Sequence, residues 1–203
     1  MKIREIYSLE IPEIKVLKFE RFLDNRGYFT EPYRFSQLRE QNIIDEPFTQ
    51  MNVSSSHKDV IRGLHFQWNP YMEKLVRTIS GHMVDLALDI RLNSPTFAKI
   101  IAFDMPALNG DEDVWIWIPK GFAHGNYFLE ESKIEYLCSG EYSPQCEAGI
   151  SPFAKDIDWS LCDRRLHEQF LEISKKSIVS DKDKSGLTID QWTKDLRAKN
   201  FTL

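Results

Sequence analysis

The residues Val60-Ile61-Arg62-Gly63-Leu64-His65-Phe66-Gln67 bring together groups that could do chemistry. Leu64 and Phe66 alternate with His65 and Gln67, the pattern of a strand with one buried and one polar-lined face. His65 and Gln67 therefore point one way and Leu64 and Phe66 the other. Gly63 weakens a strand and marks a bulge or a close backbone approach. A bulge there turns Arg62 onto the side of His65. An imidazole gains and loses a proton near neutral pH, which suits acid–base work. The plainer alternative is a histidine on an edge strand facing water, and this stretch alone does not separate the two.

A second histidine stands in Pro119-Lys120-Gly121-Phe122-Ala123-His124-Gly125. A P-x-G-x-x-H turn after a strand resembles the second motif of the cupin jelly rolls, whose histidine points into the barrel. Many cupins hold a metal with that histidine, an H-x-H pair and a glutamate. The matching strand here reads His65-Phe66-Gln67, and His65 with His124 alone makes a poor metal site, because a catalytic metal takes about three protein ligands. No metal is expected. His57 and His82 lie in turn-like contexts and are expected to be solvated. The cysteines Cys138, Cys146 and Cys162 are odd in number and their spacing does not resemble a zinc site. With no export signal at the N-terminus, they fit a reducing cytosol.

The elements that must position these groups read mostly as strands. The 203 residues are 42% hydrophobic and 28% charged, enough apolar material for an ordinary globular core. The net charge of -5 and the lack of a basic block argue against nucleic acid as a partner. No apolar run is long enough for a membrane helix. Residues 1–23 read as extended, Asp24-Asn25-Arg26-Gly27 as a turn, and Tyr28 to Tyr33 as a resumed strand. Ser36 can cap a short helix to about Gln41. Gln50, Asn52 and Ser54 share one strand face, Met51 and Val53 the other. Strands follow at 74–79, 84–90 and 99–105, and Asn109-Gly110 signals a turn. Val114 to Ile118 is apolar on both faces and should lie between two layers. Ile134, Tyr136 and Cys138 share a face.

Short, closely spaced strands with Gly, Pro and Asn turns predict a mainly β sandwich or barrel. Residues 143–187 read as mostly irregular, with Asp156 to Trp159 as an anchoring patch. Thr188-Ile189-Asp190-Gln191 is a capping box, with Ile189, Trp192 and Leu196 at helical spacing behind it. No domain boundary is visible: the reading is one domain over 1–203, its core at about 10–145 and an irregular and helical segment from about 146.

Taken in order, Asp24-Asn25-Arg26-Gly27-Tyr28-Phe29, Gln50-Met51-Asn52, Arg62 to Gln67, Asp89-Ile90-Arg91 with Ser94-Pro95-Thr96-Phe97, Pro119 to Gly125, Glu141-Tyr142-Ser143-Pro144 and Ser180-Asp181-Lys182-Asp183 resemble one family closely. That family is the nucleotide-sugar epimerases of the dTDP-4-dehydrorhamnose 3,5-epimerase type. The resemblance spans roughly residues 20–185. It implies a cupin-type jelly roll without metal or cofactor, located in the cytoplasm and dimerised with N-terminal strand segments exchanged between subunits.

The substrate so implied is a 4-keto-6-deoxyhexose on a nucleoside diphosphate. Its ketone acidifies the C–H bonds at C3 and C5, so the chemistry needs a base, an acid across the ring and cations at the developing oxyanion. The resemblance gives His65 the role of base, with Asp183 fixing its tautomer as in a triad. It makes Tyr136 the acid and sets Lys74 and Arg62 near the carbonyl and phosphate oxygens. It gives His124 to the sugar, Tyr142 to the nucleotide, and Arg26, Phe29, Glu31, Gln50 and Asn52 to substrate binding. Without it, Asp183 would read as a solvated loop carboxylate, Tyr136 as a core tyrosine and Lys74 as a solvated strand end. The sequence departs from the family pattern at Asn126, where an aromatic or aliphatic residue is usual, and the tail after residue 185 carries no assigned motif.

Overall fold

The computed structural model describes residues 2–107 and 110–202. The predicted Asn109-Gly110 turn therefore lies partly outside the described residues. In chain order the strands are β1 (Ile3–Ser8), β2 (Lys15–Glu20), β3 (Phe22–Asp24) and β4 (Gly27–Phe29). Helix α1 (Phe35–Glu40) precedes β5 (Gln50–Ser56), β6 (Ile61–Gln67), β7 (Lys74–Ser80), β8 (His82–Asp89) and β9 (Ile100–Pro106). Then come β10 (Glu112–Ile118), β11 (Phe122–Phe128), β12 (Ser132–Cys138) and β13 (Glu147–Gly149). Helices α2 (Arg164–Ser174), α3 (Asp181–Lys184) and α4 (Ile189–Lys194) follow, with a last 3-10 turn at Leu196–Phe201.

Two antiparallel sheets carry the fold: one ordered β1-β2-β10-β7-β12-β5, the other β13-β6-β11-β8-β9. The period-2 alternation of the strands sorts their side chains into three apolar layers. Val76, Ile116, Ile118 and Ile134 meet Met83, Ala87 and Ile101 between the sheets. Trp115 and Trp117, on the other face of β10, pack outward on Leu38 of α1 and on Ile43 and Ile44 just after it. That is why Val114 to Ile118 is apolar on both faces. On the far side, Leu64, Phe66, Leu86 and Leu88 turn outward under Phe170, Trp192 and Phe201 of the C-terminal segment. Phe66 meets the Trp192 ring at 4.8 Å and Phe201 at 5.5 Å, both edge-on, a favoured aromatic arrangement. This mainly β jelly-roll sandwich is the architecture the sequence predicts.

The predicted bulge is present. His124 pairs with His65, but Asn126 pairs with Arg62, so β6 carries one residue more than β11 across this interval. Gly63 absorbs it at φ 112°. A Cβ there would stand 2.5 Å from the Gly125 Cα, so only glycine lets the two backbones approach this closely. Arg62 and His65 thereby reach one face, while Ile61 and Leu64 go into the outer core.

The Asp89 motif proves to be a scaffold. Asp89 is fully buried and accepts from the Arg91 backbone N–H, the Arg91 guanidinium, and the hydroxyls of Ser94 and Thr96. Burial alone would raise its pKa, but these donors outweigh it and hold the carboxyl below the usual range. Asp89→Ala removes the bidentate partner of the buried Arg91 guanidinium, leaving it Glu13 and Ser94, and is expected to cost about 3 kcal/mol of stability, read by urea unfolding.

Several local expectations need correction. Residues 143–187 are mostly irregular as expected, but they also hold β13, α2 and α3, which were not expected. In α2 the buried Leu166, Phe170 and Ile173 recur at helical spacing, and the Asp163 carboxylate accepts from the Leu166 N–H at 3.1 Å. Asp156 and Asp158 do anchor: Asp156 accepts from the Ile189 and Asp190 N–H groups, and the Asp158 backbone pairs with Ala98 and Ile100. The Thr188–Gln191 capping box forms, but α4 ends at Lys194 and leaves Leu196 77% exposed. Ser36 lies inside α1, whose N-cap is Arg34, without a side-chain cap among the described residues. The strand predicted through Tyr33 stops at Phe29. His82 opens β8 and pairs with Asp104 at 2.5 Å, so it is not a solvated turn residue.

Candidate active site

Between the two sheets lies a cleft of about 650 Å³. The five-stranded sheet contributes Arg62 and His65 from β6 and His124 and Asn126 from β11; the six-stranded sheet contributes Lys74 from β7 and Tyr136 from β12. Strand alternation selects this set: Ile134, Tyr136 and Cys138 share the inward face of β12, as predicted. Ser54 to Ser56, His57 and the segment around Ile178 and Asp183 complete the walls.

His65 and Asp183 form a dyad. The imidazole Nε2–H donates to Asp183 Oδ1 at 2.8 Å, which leaves the Nδ1 lone pair free. The Gly63 backbone N–H donates to the other carboxylate oxygen at 3.1 Å. Ser180, the N-cap of α3, accepts from the Asp183 N–H and fixes the turn that presents the carboxylate. Burial pushes the Asp183 pKa up, yet the His65 and Gly63 donors pull it further down, so the carboxylate stays charged. Asp183 is buried, so it is not the solvated loop residue that the sequence alone would give. The bulge at Gly63 thus both aims Arg62 and offers the N–H that holds Asp183.

His124 makes a second dyad, with Asp85. Its Nε2–H donates to Asp85 Oδ2 at 2.9 Å, and its Nδ1 accepts from the Lys74 ammonium at 3.4 Å. Burial lowers the His124 pKa and keeps the ring neutral, as this donor pattern requires. The Lys74 pKa is also lowered by burial, against the partial compensation of Cys138, Asp85 and Glu147. Burial raises the Tyr136 pKa and keeps the phenol protonated; the charge of Arg62 and the Asn52 amide oppose that rise. A lysine, a neutral histidine and a protonated tyrosine so placed suit a site that takes a proton on one side, steadies an oxyanion and returns a proton on the other.

The remaining predicted residues divide in two. Gln50 and Asn52 lie on the inward face of β5 beside Cys138 and Tyr136, outside the cleft wall itself. Gln50 donates from its side-chain amide to the Asn52 side-chain oxygen at 3.0 Å and accepts from the Tyr142 N–H at 2.8 Å, so it ties the Tyr142 loop to the sheet. Tyr142 is half-exposed, its hydroxyl donating to Glu147 at 3.1 Å. Arg26 and Phe29 stand on the β3–β4 hairpin and Glu31 just after it, none of them in the cleft of their own chain. The Arg26 side chain is 85% exposed and pairs with Asp24.

The sequence reading missed Asp85. A lone carboxylate inside the apolar run Met83 to Leu88 was the available signal, because a buried charge needs a partner. No group of three or more His, Cys, Asp or Glu converges as a metal site among the described residues. No helix among them is long and apolar enough to cross a membrane.

The model of the dTDP-4-dehydrorhamnose 3,5-epimerase family matches residues 8–191. A protein of that name from Escherichia coli K12 is 37% identical over 190 residues, which cover 92% of this chain and 95% of the relative. The Shigella flexneri protein of the same name is 35% identical, over 89% of this chain and 93% of its own. A Neisseria gonorrhoeae relative, 40% identical over 70% of this chain, is longer, and the match spans 43% of it. Among solved structures, the Legionella pneumophila dTDP-6-deoxy-D-glucose-3,5-epimerase in complex with dTDP-4-keto-L-rhamnose is 31% identical, with a TM-score of 0.81 over 98% of this chain and 97% of that one. With the matching motifs and the same jelly roll, this chain belongs to the dTDP-4-dehydrorhamnose 3,5-epimerase family.

Proposed function

We propose that the chain epimerises dTDP-4-dehydro-6-deoxy-D-glucose at C3 and C5, giving dTDP-4-dehydro-L-rhamnose for deoxysugar synthesis. The observation that carries this reading is His65 on one sheet, paired with Asp183 of α3, and Tyr136 on the other sheet, the cleft between them. His65 takes the proton from a carbon next to the ketone through its free Nδ1, and the charged Asp183 steadies the imidazolium that forms. The electron pair moves onto the C4 oxygen, where the Lys74 ammonium, steered by neutral His124, meets the enolate. Tyr136 returns a proton from the opposite face, and the carbon is inverted. Arg62, anchored on Ser56 at 2.9 Å, offers its charge to the diphosphate. The direct test follows the substrate by NMR in deuterated water. Deuterium at both C3 and C5 supports the reading; its absence from both refutes it.

The working unit in this reading is a homodimer. The β3–β4 hairpin exposes Phe22, Leu23, Tyr28 and Phe29, and the edge strand β5 exposes Met51 and Val53. Apolar side chains so placed favour covering by a second copy, which would bring Arg26, Phe29 and Glu31 to the neighbour's cleft. Light scattering is expected to give twice the chain mass at micromolar concentration. Arg26→Ala is expected to raise KM about tenfold with kcat nearly unchanged, the pattern of lost uniform binding. A fully active monomer would refute this arrangement.

A further inference from the structure

Asn126 stands in the cleft wall with only 4% of its surface exposed, and its side-chain oxygen has no hydrogen-bond partner among the described residues. It lies on β11 two residues beyond His124, about 7 Å along the strand, so both side chains project to the same side. Its cross-strand neighbours are Arg62 on β6 and Asp85 on β8. Neither serves it. The Arg62 guanidinium donates to the Ser56 hydroxyl and the Ser55 carbonyl. Asp85 holds His124 with one oxygen, and its other oxygen also lacks a partner among the described residues. A buried amide oxygen left unpaired costs about 1–3 kcal/mol, and folded interiors leave few such groups. A leucine of similar volume would fill the position without that cost. The fold does not need the amide, and it sits where an occupant of the cleft would reach it.

We propose that Asn126 is a specificity-determining residue, hydrogen-bonded to a ring hydroxyl of the bound sugar on the C2–C3 side of the ketone. This rests on the reading that the C4 oxygen meets Lys74 beside His124. From that oxygen the ring presents a hydroxyl-bearing flank, C3 then C2, and a flank of C5 with its methyl group. A methyl would leave the amide buried and unpaired. A hydroxyl both donates and accepts, so it meets either end of the amide. Asn126 thereby turns the hydroxyl flank toward β11 and the methyl flank away, and favours a sugar that carries that hydroxyl. A site built to bond a hydroxyl rejects an analogue lacking it far more strongly than an apolar pocket rejects a change of shape.

The test is a calorimetric binding cycle. The ligands are thymidine diphosphate 6-deoxyglucose, whose 4-hydroxyl replaces the ketone and cannot react, and its 2-deoxy and 3-deoxy forms. Each is titrated into the wild-type protein, Asn126→Leu and Asn126→Ala. The expected result is a loss of about tenfold for the parent ligand in both variants, with one deoxy ligand bound equally well by variants and wild type; that ligand names the hydroxyl. An equal loss for all three ligands, or no loss for the parent, overturns the proposal. Agreement between Leu and Ala guards against one variant misfolding. If wild-type protein fails to exchange protons of the 4-keto substrate, the catalytic reading falls while the binding cycle still decides the role of Asn126.

Discussion

His65→Asn is expected to abolish both exchange of the substrate's C3 and C5 hydrogens with solvent and formation of product. The drop should reach about 10³-fold or more, at the strong end for loss of a positioned general base. Asparagine keeps a hydrogen-bonding group near Asp183 but has no lone pair that titrates near neutrality. Tyr136→Phe should behave differently. It removes the acid on the opposite sheet and leaves the His65–Asp183 dyad untouched. His65 can then still remove a proton and return one from its exchanged pool to the same face. Inversion is lost and exchange is retained in part. Asp183→Asn should fall between them, because the Gly63 N–H still holds the side chain while the charge that steadies the imidazolium is gone. NMR in deuterated water reads exchange and inversion in one experiment. If Tyr136→Phe loses exchange as fully as His65→Asn, these roles are wrong.

Most of the fold was legible because alternation is a local signal. The faces of β5, β8, β10 and β12 follow from which residues are apolar, and those of β5 and β12 bring Ser54 and Tyr136 to the cleft wall. Even the bulge at Gly63 could be read, since glycine in a strand beside a histidine has few other uses. Pairings made over long sequence separation were not legible. Asp183 lies 118 residues from His65, and Asp85 lies 39 from His124, so neither pair leaves a local pattern; Asp183 was reached through family resemblance alone. The fate of Arg26, Phe29 and Glu31 was illegible for a further reason: an exposed hairpin acquires a role only from what covers it. Helix α2 is a different case, because its apolar spacing was present and the polar run around it masked the signal.

Lys74→Met is expected to lower kcat by about 10²–10³-fold, the usual effect of removing one group that steadies an oxyanion. The methionine keeps the length of the side chain but not the charge. Lys74 is half-buried with its ammonium against His124, and burial lowers its pKa. Taking a charge out of such a place relieves desolvation, so the melting temperature should hold or rise while activity collapses. A merely structural lysine would give the reverse: loss of stability with activity kept in the folded fraction. The same shift sets the alkaline limit of the wild type. A lowered pKa means that the ammonium discharges at a lower pH than a free lysine does. The cation steadies the enolate, so kcat should fall as the pH rises through that pKa, below the range near 10.4 of an unperturbed lysine. In Lys74→Met the residual activity should no longer show this fall. If the alkaline limb persists unchanged in the variant, the titrating group is another one, with Tyr136 the next to examine, and Lys74 does not carry the charge at the ketone.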